Sequence, residues 1–188
     1  MKNTLLKSTA LLFALILTAF TSVETKQVDI DQSIINWVGY KVTGQHEGAI
    51  TLQQGSLEFN DGQLTGGSFV MDMTSINTTD IQGDYKKKLD GHLKADDFFG
   101  VNKHKKATLV FTSVTKNETN YTVVGDLTIK GITNKISFDL VVSKNSATTS
   151  FQIDRTKFGI KYGSASFFDD LKDKAIYNEF DLKVFLKF

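Results

Sequence analysis

Gly125 to Leu140 reads GDLTIKGITNKISFDL, and the stretch is written as a β-hairpin. Apolar residues alternate at Tyr121, Val123, Leu127 and Ile129, and again at Ile136, Phe138, Leu140 and Val142. A period of two places all of them on one face of a sheet. The polar residues between the runs, Lys130 to Lys135, predict the turn.

Outward from this hairpin the same pattern recurs. Eight strands are predicted, over Gln27–Val42, Ala49–Phe59, Gln63–Thr74, Lys106–Lys116, Thr119–Lys130, Lys135–Ser143, Ala147–Arg155 and Tyr177–Phe188. β-branched and aromatic residues fill them, and Gly, Asn and Asp punctuate them. Two segments depart from the pattern. Asp80 to Gly100 has apolar residues four apart at Ile81, Tyr85, Leu89 and Leu93, a helical stripe interrupted at Gly91. Lys157 to Ile176 is a long connection. Eight antiparallel strands close into a barrel and so remove sheet edges. Strands of nine or more residues favour a tall barrel over a two-sheet sandwich. The expected fold is therefore all-β, an eight-stranded antiparallel barrel with a short helical insert.

The first 22 residues read as a secretory signal peptide, with Lys2 and Lys7 followed by the eleven-residue apolar run Ala10–Phe20. That run is too short to span a bilayer. The expectation is one exported domain, residues 23–188, periplasmic or secreted. Without Lys2 and Lys7, 20 basic residues face 21 acidic ones, so charge offers no case for nucleic acid. Cys is absent, so neither disulfides nor thiolate chemistry contribute.

Catalytic motifs are missing. There is no GxSxG, HExxH, GxGxxG or phosphate loop. No enzyme activity, cofactor or metal is expected. His92 and His104 lie near Asp90, Asp96 and Asp97, a group that reads as solvated loop residues. In Trp37–Gly48, WVGYKVTGQHEG, Gly39 leaves room beside the only Trp. Lys41 and His46 at a barrel end would meet a polar head group; the alternative has Trp37 plugging the base and Lys41 reaching to water. Arg155, the only Arg, either closes the barrel on strand carbonyls or holds an anionic head group. The carbonyl role is the favoured one. The aromatic loop Phe158–Phe168 either packs as a lid or presents its rings to a ligand. The lysine runs Lys86–Lys88 and Lys103–Lys106 would steer toward anionic lipid in a transient membrane contact, but interleaved aspartates favour a plain solvated surface.

Several pieces in order resemble one family: Trp37-x-Gly39-x-Lys41-x-x-Gly44-x-His46-x-Gly48, Leu64–Phe69, Met71–Ile76, His92-Leu93, Asp97-Phe98-Phe99, Ala107–Ser113 and Gly125–Thr133. The chain from about Gln27 to Phe188 is similar to the YceI-like family of lipocalin-like, polyisoprenoid-binding proteins. Lys106 departs from it, standing where Pro is expected. The resemblance implies a lipocalin-like barrel with an apolar lumen for a long-chain isoprenoid or fatty amphiphile, and no catalysis. The expected lumen contacts are Trp37, Phe69, Met71, Met73, Leu109, Phe111, Leu127, Ile129, Phe138, Phe151 and Ile153. A register shift of one would turn them outward. The runner-up is a stress-linked structural or interaction protein whose barrel is filled by side chains. Oligomeric state is not legible.

Overall fold

In the computed structural model, residues 23–188 are described; the expected signal peptide, residues 1–22, lies outside them. Nine strands and one helix follow in chain order: β1 (Val23–Gln27), β2 (Asp29–Lys41), β3 (Gly44–Asn60), β4 (Gln63–Thr78), α1 (Gly83–Lys94), β5 (Lys106–Lys116), β6 (Tyr121–Ile129), β7 (Ile132–Val142), β8 (Ser146–Asp154) and β9 (Ile176–Lys187). β2 to β9 form an eight-stranded antiparallel barrel, closed by β2–β9 and β3–β4 pairing. β1 is the strand the period did not reveal. Its sequence, VETKQ, has no apolar alternation, and it pairs only with the far end of β3.

The opening hairpin is tighter than its composition suggests. Ile129 pairs with Ile132 across Lys130 and Gly131, at φ 53° and 76°. Two consecutive positive φ values make the two-residue turn whose twist suits a hairpin. Residues 132–135, expected in the turn, are therefore strand. The predicted face holds, with Phe138 opposite Val123 and Leu140 opposite Tyr121. Likewise Gly44–Gly48, which falls between the first two predicted strands, is the start of β3. Trp37 pairs with Gly48 and Gly39 with His46.

The barrel wall is uneven. β7 and β8 pair only at Val141–Thr148 and Val142–Ala147. Beyond that point Phe138 and Phe151 stack with centroids 4.6 Å apart. At the far end Asn134 Nδ2 donates to the Lys157 carbonyl at 2.9 Å. Side chains, not a ladder, close this seam.

Gly91 does not interrupt α1, which runs through it to Lys94. Its apolar stripe packs in part: Leu93 is buried and Leu89 is half-buried against the same cluster, whereas Tyr85 is exposed. Polar bonds hold the helix as well. Asp90 Oδ1 accepts from the Thr78 N–H (2.8 Å) and hydroxyl (2.6 Å), and Lys86 bonds both Asp90 and the Thr78 carbonyl. One apolar cluster, including Leu57, Phe59, Val123, Leu140 and Leu186, plugs the barrel end nearer β1. A second, including Leu93, Phe98, Phe158 and Ile160, covers the end nearer α1.

Candidate ligand-binding site

Between the two clusters lies a cavity of about 170 Å³ with an almost wholly apolar wall. Strand alternation builds it. Every second residue of a strand faces inward, so β4 contributes Phe69, Met71 and Met73, β5 contributes Leu109 and Phe111, and β8 contributes Phe151 and Ile153. Trp37, Leu127, Ile129 and Phe138 complete the expected set, and all eleven stand on the cavity wall. Close approach shapes two of these positions. A Cβ on Gly48 would lie 2.4 Å from Trp37 Cζ2, so Gly48, across the ladder, makes room for the indole. Gly39, expected to do so, would place its Cβ at an ordinary 4.0 Å. A Cβ on Gly67 would meet the Phe111 ring at 2.8 Å. Trp37 packs half-buried against the cluster nearer α1.

Sequence reasoning missed part of the wall. The row Phe180, Leu182, Val184 and Leu186 of β9 alternates plainly and belongs to it. Leu93, Phe98 and Phe99 also reach the cavity. They come from α1 and the turn after it, where no period of two could announce them.

The three head-group candidates separate. Lys41 is exposed at the end of β2, away from the cavity wall. His46 is also off the wall, and its Nδ1 meets Asp80 Oδ2 at 2.8 Å, tying β3 to the segment before α1. Burial pushes the Asp80 carboxyl up, but hydrogen bonds from His46 and from backbone outweigh it and leave the group below its ordinary range. Arg155 does border the cavity, at 3% exposure. Its Nε donates to the Tyr177 carbonyl (3.0 Å), Nη1 to that of Ile160 (2.8 Å) and Nη2 to that of Ile176 (3.1 Å). The planar fork thus staples the 155–163 connection to β9. Its charge also lies 5.4 Å from the centre of the Phe98 ring. Burial lowers the guanidinium's pKa, with Asp154 and Glu179 opposing, yet an arginine stays charged.

More polar fasteners surround this end. Lys130, in the hairpin turn, donates to the carbonyls of Asp96 (2.7 Å) and Phe98 (2.8 Å). The hairpin turn therefore holds the cap. His92, Asp90 and Asp96 are likewise occupied, and Asp97 is exposed. His92 packs 5.2 Å from Phe98 and 4.5 Å from Tyr162, ring centre to ring centre, and Asp96 pairs with Lys103 at 2.6 Å. The loop Phe158–Phe168 divides. Phe158 and Ile160 are buried in the cap, whereas Phe167 and Phe168 face solvent.

The wall is also irregular between β2 and β9. Gly39 pairs with Phe180, but Lys41 pairs with Ile176, so β9 bulges between them. Tyr40, Tyr177 and Glu179 line the cavity there. Outside, Tyr40 donates to Asp181 at 2.6 Å, and Gln152 donates to the same carboxylate at 2.8 Å. The Asp181 bond raises the Tyr40 pKa, while the Tyr40 and Gln152 bonds lower that of Asp181.

Comparison with known proteins agrees with this architecture. The crystal structure of BcnA from Burkholderia cenocepacia superposes with a TM-score of 0.67 at 22% identity, covering 85% of this chain and 98% of that one. A polyisoprenoid binding domain from Saccharophagus degradans gives 0.60 at 16% identity, covering 89% and 98%. A UPF0312 protein of Staphylococcus aureus (strain bovine RF122 / ET3-1) is 40% identical over 119 residues. That match takes in 57% of this chain and 64% of the relative, so the chain spans just under two thirds of that protein's length. The profile of the YceI-like domain matches residues 26–188, the whole barrel, and the chain belongs to that family.

Proposed function

We propose that this protein binds and carries a long-chain amphiphile, of polyisoprenoid type, in the barrel lumen without chemically altering it. The apolar cavity carries the reading. Its wall offers methylene contacts from all eight staves and almost no polar surface. Each methylene moved out of water contributes about 0.8 kcal/mol, so a chain binds there without specific hydrogen bonds. Membership of a family known for binding, and likeness to a polyisoprenoid binding domain, support the same ligand class. A side-chain-filled barrel, the structural alternative, would leave no such space.

Size sharpens the proposal. At roughly 10–15 Å³ of such space per water, 170 Å³ admits about a dozen waters. That is room for a segment of a long chain, so loading requires the wall or cap to yield, or the remaining chain to extend out of the barrel. An apolar run of eleven residues at the start of the sequence supports carriage outside the cytoplasm, in the periplasm or the medium.

The test is a titration of delipidated protein with prenols of increasing length, read by the single tryptophan, Trp37, on the cavity wall. Affinity rises with each isoprene unit and levels off once the lumen is full. No response at any length would refute the proposal.

A further inference from the structure

The second half of the aromatic loop leaves its rings about half exposed. Tyr162, Phe167, Phe168 and Tyr177 are 46, 48, 50 and 53% exposed, and Val42 is 54% exposed. They are nonetheless held in place. Ile176 N–H donates to the Gly163 carbonyl at 2.8 Å and Val42 N–H to that of Ala175 at 3.1 Å. The fully buried Ser164 donates its hydroxyl to Asn178 Oδ1 at 2.6 Å, and the Phe167 and Phe168 N–H groups both donate to the Ser164 carbonyl at 3.0 Å. These bonds gather the rings at one place, beside Tyr177 on the cavity wall. Tyr177 itself lines the cavity, with its ring centre 6.4 Å from that of Tyr40.

The surrounding charge is mixed. Lys161 Nζ lies 4.5 Å from the centre of the Phe167 ring, and Lys41, Lys172 and Lys174 are exposed nearby. Asp169, Asp170 and Asp173 offset most of that charge. Half-exposed aromatic rings among lysines suit the water–lipid boundary, where an amphipathic ring is wet at one end and apolar at the other. A soluble partner would face a rim this apolar only by covering it.

We propose that this rim is a docking surface for a lipid bilayer, with the aromatic rings seated at head-group level and this side of the cavity wall facing the membrane. The purpose rests on the lipid-carrier reading: a chain drawn from a bilayer would enter the barrel without crossing water. With the charges nearly balanced, ring insertion dominates, and anionic lipid strengthens the contact without creating it.

The experiment is co-sedimentation with phosphatidylcholine vesicles, with and without phosphatidylglycerol. The wild-type protein partitions onto both, and phosphatidylglycerol changes this by only a few-fold. Phe167→Ser/Phe168→Ser lowers partition by about tenfold per ring. A second variant, Trp37→Phe/Phe168→Trp, carries its only indole at the rim, and brominated acyl chains quench it. Farnesol binding in vesicle-free solution is the same for wild type and the double-serine variant. Loss of farnesol binding with vesicle docking retained removes the cargo reading and leaves the docking surface standing. Equal partition of wild type and the double-serine variant, or no quenching by brominated chains, overturns the proposal. So does a double-serine variant that loses only self-association in sedimentation velocity.

Discussion

The two ends of the barrel are closed by different physics. At the end nearer β1, Leu57, Val123 and Leu140 are almost wholly buried and the closure is packed hydrocarbon. At the end nearer α1, apolar residues are also buried, but the pieces are fastened by directional bonds. Arg155 holds three carbonyls, Lys130 two, and Asp90 holds Thr78. Packed hydrocarbon resists any change of volume. A polar fastener releases as a unit when its few bonds break. The first end therefore stabilises the fold, and the second is where the barrel can yield to a ligand.

Substitutions should expose this asymmetry. Leu57→Ala, in the packed end and away from the cavity wall, costs about 3 kcal/mol in urea unfolding through lost transfer energy and the cavity left behind. Prenol affinity of the folded fraction stays the same. Arg155→Lys costs less, about 2 kcal/mol, because one ammonium replaces a fork and leaves buried carbonyls unpaired. Its distinguishing mark is local: amide exchange quickens in 155–163 and α1 while β6 and β7 stay protected. An equal loss of protection at both ends would dissolve the comparison. Met71→Trp, which fills the lumen between the two ends, lowers prenol affinity at least about tenfold, with an overpacking cost near 1 kcal/mol.

Acid should act on one end only. Asp80 and Asp90 both lie below the ordinary carboxylate range, because hydrogen bonds outweigh the upward push of burial. A carboxylate with a depressed folded value stabilises above its unfolded value, and that contribution is lost as pH falls through the folded one. The cap around α1 therefore loosens below about pH 4. Amide exchange of α1 against β6, followed from neutral pH downward, reads this directly. The smallest effect is that of Lys41→Ala. Exposed and away from the cavity wall, Lys41 changes stability by no more than about 0.5 kcal/mol and leaves prenol affinity unaltered.

The contrast between the ends also explains what the sequence disclosed. Strands announce themselves by a period of two, and one correct phase places Phe69, Met71 and Met73 on the same wall as Leu109 and Phe111. The barrel was legible for that reason, and the expected lumen set falls on the cavity. The cap was not. Phe98 and Phe99 follow no period, Leu93 belongs to a helical stripe that does not announce a barrel wall, and the link from Lys130 to residues 96 and 98 joins segments more than thirty positions apart. Arg155 was legible as a lone arginine at a strand end, though not the carbonyls it would choose. β1 stayed hidden because a five-residue polar edge strand has nothing to alternate.

The central claim is that a long-chain amphiphile occupies the lumen. Organic extraction of the protein purified without detergent, followed by mass spectrometry, tests it most directly. The account predicts a prenyl or other long-chain lipid near one mole per mole of protein, and its loss from Met71→Trp. An extract empty of such lipid, from protein that also fails to take up added prenol, would contradict it.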